Sequence, residues 1–218
     1  MHASADGVVV VIHDPTLDRT TDATGAVKAF PLDALRAVDA GARFRAPDGT
    51  FPYRDRGIGI PTLAEVLDAF PGVPLNIEIK QDEPPIEANV LETLDRVGAR
   101  ARVLLAAEEA AIMARIRAAA PDVVTSFSSA EVAAFVLGPP EGTSLPRAFA
   151  LQIPPVYGDR RLITAESVAA AHALGMEVHA WTINDEDEMD ALLELGVDGL
   201  MTDWPARAFA VLRRRGLR

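Results

Sequence analysis

The 218-residue sequence predicts an α/β protein in which parallel strands are joined by helical crossovers. Three observations carry this expectation. From residue 74 onward, short strand-like runs alternate with longer amphipathic runs. The amphipathic runs place apolar residues at i, i+3 and i+4, while the strand-like runs are bounded by Gly or Pro. Consecutive strands separated by a helix-length segment pair in parallel, since no hairpin turn joins them. A 49% apolar content over this length supplies a substantial core, and no low-complexity tract interrupts it.

At the N-terminus, Val8, Val9, Val10, Val11 and Ile12 make a β-branched run that stops at His13-Asp14-Pro15. Asp6-Gly7 before it is a hairpin turn pair, with only residues 1–5 on its near side. A helix is expected near residues 32–40, and residues 44–59 read as irregular. The run PTLAEVLDAF, residues 61–70, is a helix with a capping box formed by Thr62 and Glu65. Six strand-helix units then follow, with strands at residues 74–80, 102–107, 123–127, 147–152, 177–182 and 199–204. Thr164 with Ser167, and Asn184 before an acidic turn, start two of the helices, while Gly175 and Gly196 end them. The Pro/Gly stretches at residues 138–146 and 154–158 are loops, and residues 1–218 read as one domain without a linker. Six units suit an open doubly wound sheet or a (β/α)₈ barrel short by about two strands and one helix. Periodicity leaves both open.

Composition excludes several functions. A net charge of −11 opposes nucleic-acid binding, which needs clustered Lys and Arg. The basic run Arg213, Arg214, Arg215 falls at a helix end, where it complements the helix dipole. The chain lacks cysteine and has no apolar stretch of membrane-spanning length, so stable membrane insertion is not expected. No secretory signal is visible after Met1, so a cytoplasmic location is expected if Met1 is the true start. GxSxG, P-loop, GxGxxG and HExxH patterns are all absent.

What remains is a small set of polar residues at strand ends. In LNIEIK, Leu75, Ile77 and Ile79 alternate with Asn76, Glu78 and Lys80, so one strand face is apolar and the other charged. Half-buried Glu78 and Lys80 need partners, which are each other, a metal or an anionic substrate. His13 is either a loop-anchoring histidine or a general acid/base with a pKa near neutrality. Trp181 is a rim aromatic or a ligand contact, and His179, one step deeper on its face, packs inside. Gln152 satisfies a backbone group or reaches a ligand, whereas His2 and His172 read as exposed and incidental.

DGVVVVIHDPTLDRTTDATG, IPTLAEVLDAFPGVPLNIEIK, VHAWTIND and GVDGLMTDWP together resemble the glycerophosphodiester phosphodiesterases. The likeness runs from about residue 5 to the C-terminus. It implies a metal-dependent (β/α)₈ TIM barrel that hydrolyses small glycerophosphodiesters to glycerol 3-phosphate and an alcohol. By this resemblance His13 matches the second catalytic histidine and Glu78 a ligand of Mg²⁺ or Ca²⁺. Lys80 matches a lysine near the phosphate and Trp181 an aromatic beside the glycerol. The family's opening His-Arg-Gly strand, with the first catalytic histidine, and its Glu-x-Asp strand, with two metal ligands, have no counterpart in this sequence. The barrel is therefore expected to be N-terminally incomplete, with residues 75–79 and 199–202 as bare edges. In-frame sequence upstream of Met1 is expected to encode the missing segments. A non-catalytic remnant or binding protein, or a barrel phosphodiesterase acting on lysophospholipids, are the alternatives.

Overall fold

The computed structural model describes residues 1–217. The chain has two compact units, Met1–Val123 and the residues from Val124 onward.

The first unit opens on an antiparallel hairpin, β1 (His2–Ala3) and β2 (Val9–Val10), with His2 opposite Val10. Gly7 turns the hairpin at φ +81°, a conformation that side chains disfavour. Helix α1 (Leu32–Ala37) is shorter than the 32–40 expected. Val38 is already extended, and the Asp39 carboxylate accepts the N–H groups of Gly41 (2.8 Å) and Asp55 (2.8 Å), fixing a loop instead.

Helix α2 (Leu63–Ala69) starts at the expected capping box. The Thr62 hydroxyl accepts the Glu65 N–H (3.2 Å), and the Glu65 carboxylate accepts the Thr62 N–H (2.8 Å). Two orphan donors of the helix end are thereby satisfied. Strand β3 (Leu75–Glu78), helix α3 (Glu87–Arg96), strand β4 (Val103–Ala106) and helix α4 (Ala110–Ala119) follow. β3 and β4 are parallel, with Leu75 beside Val103 and Glu78 beside Ala106, so α3 is the crossover.

The expected alternation holds along this strand. Ile77 and Ile79 are buried in a core with Leu63, Leu94, Leu105 and Ile116, leaving Asn76, Glu78 and Lys80 on the opposite face. Each fully buried aliphatic side chain contributes roughly 1.5–3 kcal/mol. That core is what fixes the direction of the charged face. The edge expected to be bare at residues 75–79 is partly covered. The Met1 amino group donates to the Glu78 carbonyl (2.5 Å), and the Lys80 N–H donates to the Met1 carbonyl (3.2 Å).

The second unit contains β5 (Val124–Thr125), α5 (Ser129–Leu137), β6 (Ala150–Ile153), β7 (Val156–Tyr157) and β8 (Arg160–Arg161). It continues with α6 (Ala165–Ala173), β9 (Glu177–Ala180), α7 (Glu186–Glu194), β10 (Gly199–Leu200) and α8 (Pro205–Arg214). β10, β9 and β6 form a parallel sheet in that order, so β10 is an outer strand. Leu151, Ile153, Val178 and Ala180 are buried in a core with Met189 and Leu192, and the alternate residues Gln152 and His179 take the other face.

Two local expectations change here. The stretch 154–158, read as a loop, contributes β7 to a short antiparallel hairpin with β8 just beyond it. The cap of α7 is Asp185, not Asn184. The Asn184 amide oxygen is already engaged by the Asp203 N–H (2.9 Å) and the Thr202 hydroxyl (3.0 Å). Among the described residues, no helix is long and apolar enough to cross a membrane.

Candidate active site

His13 follows β2 and its side chain is 70% exposed, so a ligand can reach it. Asp14 turns back onto the ring: Nδ1–H of His13 donates to the Asp14 carboxylate (2.8 Å). Arg19 grips that carboxylate from the other side, with Nε to Oδ2 at 2.6 Å and a terminal nitrogen to Oδ1 at 2.9 Å. Such a two-pronged charge-assisted pair fixes orientation as well as charge. The Arg19 bonds first, and the His13 bond second, hold the Asp14 carboxyl well below the usual carboxylate range. Because Nδ1 carries the proton given to Asp14, Nε2 is left to accept a proton when the ring is neutral and donate one when it is charged.

His2 does not lie on the surface as expected. It is buried, and its Nε2–H donates to the backbone carbonyl of His13 (3.1 Å). The hairpin register explains this, since pairing with Val10 turns His2 inward. Burial is the main cause of its lowered pKa; the His13 carbonyl bond opposes this in part, and the charges of the Met1 amino group, Lys80 and His13 lower it further. His2 thus anchors the strand end that presents His13.

Glu78 and Lys80 satisfy each other, with Lys80 Nζ 2.8 Å from a Glu78 oxygen. Both are partly covered, their side chains 32% and 19% exposed. The pair stands beside the Met1-His2 dipeptide that also contacts the His13 carbonyl, so His13, Glu78 and Lys80 are held around one short segment. Among the described residues, no three His, Asp or Glu side chains gather into a metal-ligating group.

In the second unit, Gln152 and His179 are register partners on β6 and β9. The Gln152 amide donates to His179 Nδ1 (3.2 Å), and His179 Nε2–H donates to the Glu177 carboxylate (2.9 Å). Both imidazole nitrogens are therefore committed, which makes His179 a holder of Gln152 rather than an acid or base. The close fit is visible at Gly199, where an added Cβ would lie 2.7 Å from the His179 ring. The Gln152 amide oxygen is left to accept from a hydroxyl group. Trp181, just past β9, is 37% exposed. His172 is exposed as expected, but it is not idle: Nε2–H pairs with the Asp198 carboxylate (2.8 Å), which also caps the Val178 N–H.

Sequence reasoning passed over His2 and Arg19. The Arg19 signal was present, because HDPTLDR sets an arginine five residues after an aspartate across a Pro-initiated turn. His2 carried no such signal, as its burial depends on hairpin pairing.

A family model, glycerophosphoryl diester phosphodiesterase, matches residues 1–207. A Mycobacterium tuberculosis protein named "Probable glycerophosphodiester phosphodiesterase 2" is 31% identical over 225 residues, spanning 99% of this chain and 78% of that protein. A glycerophosphodiester phosphodiesterase of Caldanaerobacter subterraneus is 29% identical, across 97% of this chain and 83% of its own length. The crystal structure of a glycerophosphodiester phosphodiesterase from Agrobacterium tumefaciens superimposes with a TM-score of 0.75 at 24% identity, covering 96% of this chain and 84% of that one. These likenesses put the fold in the α/β, TIM-barrel-like class.

Proposed function

Because this chain belongs to the glycerophosphoryl diester phosphodiesterase family, we propose that it hydrolyses glycerophosphodiesters to glycerol 3-phosphate and an alcohol, with His13 as a proton-transfer group. The observation that supports this most is the His13–Asp14–Arg19 chain. It leaves an oriented imidazole with Nε2 free at a solvent-open strand end.

Hydrolysis breaks one P–O bond, and water supplies the oxygen that remains on phosphorus and the proton that leaves with the alcohol. An alkoxide is a poor leaving group, so a donor at its oxygen lowers the barrier. Protonated His13 can give the Nε2 proton, and the Asp14 carboxylate stabilises the charged ring that precedes transfer. The Lys80 ammonium is a compact cation able to face a phosphoryl oxygen once Glu78 shares it.

A divalent ion, expected from the resemblance, does not fit the described residues. Hard cations take six or more oxygen ligands, and Glu78 is one carboxylate already bonded to Lys80.

The test is phosphorus NMR of glycerophosphocholine mixed with the protein, with EDTA, Mg²⁺ and Ca²⁺ in parallel. The expected product is glycerol 3-phosphate. His13→Ala should lose about 10²–10⁴ in rate on this alkyl diester and far less on a p-nitrophenyl diester, whose oxygen leaves without help. Equal losses on both substrates would remove His13 as the leaving-group acid. A strict requirement for Mg²⁺ or Ca²⁺ would show that ligands beyond Glu78 take part. Binding of glycerol 3-phosphate without turnover would favour the non-catalytic alternative.

A further inference from the structure

The surface loop of residues 43–58 carries an unusual combination for a chain this acidic. Phe44, Phe51 and Tyr53 are 50%, 40% and 47% exposed. The same loop carries four arginines, Arg43, Arg45, Arg54 and Arg56, against two aspartates, in a chain of net charge −11. Contacts within the loop tie its aromatic side chains together. The Phe44 and Tyr53 rings meet edge-on with centroids 4.9 Å apart, and the Arg54 guanidinium lies 3.9 Å over Phe51. Arg54 is anchored in turn by donating to the Ala42 carbonyl (2.9 Å). Arg45 and Arg56 make no side-chain hydrogen bond or ion pair among the described residues.

Clustered exposed aromatics mark a surface that something covers. The chemistry of the cover is set by what is interleaved with them. Arginines whose stems can lie along apolar surface while their heads reach phosphate, set among rings with apolar bodies, match the boundary between lipid headgroups and acyl chains. Nucleic acid is disfavoured by the acidity of the rest of the chain. Toward an anionic bilayer, the local excess of positive charge in the loop offsets the repulsion from the acidic remainder.

We propose that residues 43–58 are an interfacial loop for anionic lipid surfaces. Phe44, Phe51 and Tyr53 enter the headgroup boundary, and Arg45 and Arg56 engage lipid phosphates. The inference is independent of hydrolysis, since it concerns binding of the whole protein to a surface.

The experiment is co-sedimentation of the protein with vesicles of phosphatidylcholine alone, and with equimolar phosphatidylcholine and phosphatidylglycerol, at low and high salt. Wild type should bind the anionic vesicles roughly tenfold more, with the difference lost at high salt. A Phe44→Ser, Phe51→Ser, Tyr53→Ser variant should lose about tenfold in binding, by the loss of buried apolar area. An Arg45→Glu, Arg56→Glu variant should lose the preference for anionic lipid. The substituted side chains are exposed, and an unchanged thermal midpoint in both variants confirms that folding is intact. The proposal is overturned by absence of wild-type binding, by equal binding to both vesicles, or by variants that bind like wild type. It is equally overturned if the aromatic variant instead abolishes self-association seen without lipid, which would assign the patch to a second copy of the chain.

Discussion

His13 is presented by its neighbours rather than by its own packing. Asp14 sets the ring, Arg19 sets Asp14, and buried His2 holds the His13 carbonyl. The buried histidine gives this arrangement a pH dependence. The pKa of His2 is lowered in the folded state, chiefly by burial. Between the ordinary histidine value of about 6.5 and the lower folded value, the unfolded chain binds the proton and the folded chain does not. Stability from this group is therefore full above about pH 6.5 and declines as pH falls through the folded value. His2→Gln retains a donor for the His13 carbonyl and removes the titration. Urea unfolding at stepped pH should show wild type losing stability relative to the variant below about pH 6.5. Parallel curves would mean that His2 is protonated in the fold.

At the scale of elements, the helix starts rest on short-range bonds that single substitutions can read. Thr62 accepts the Glu65 N–H, and Thr62→Ala should cost about 1 kcal/mol, seen as a lower urea midpoint with unchanged slope. This start was legible because Thr and Glu three residues apart encode it locally, and the same holds for Thr164 with Ser167. The alternation of Leu75, Ile77 and Ile79 with polar residues likewise foretold which face of β3 carries Glu78 and Lys80. Their mutual ion pair was one of the partnerships left open by the strand pattern. Failures occurred where distant residues decide. Asn184 looked like the cap of α7, but Thr202 and Asp203 claim its amide oxygen, and Asp185 takes over. His2 looked exposed because nothing next to it in sequence shows that Val10 will pair with it. The β7–β8 hairpin, two residues per strand, is too short to leave a periodic trace.

Across the whole molecule, helices and strands carry the buried side chains, and the longest stretch without regular structure runs between α1 and α2. Most arginines elsewhere are held by bonds: Arg100 to Asp95 and Asp122, Arg115 to Asp82 and Glu87, Arg214 and Arg215 to Asp190. Arg45 and Arg56 are not, and they lie in backbone that no strand pairs with. A protease needs several residues to leave their native conformation and extend through its cleft, which costs least where few contacts are broken. Trypsin should thus nick the folded protein first after Arg45 and Arg56, well before the arginines of the helices. Mass spectrometry of the earliest fragments reads this directly. The loop that offers its rings outward lies where neither helix nor strand holds the backbone, and there the chain can be opened first.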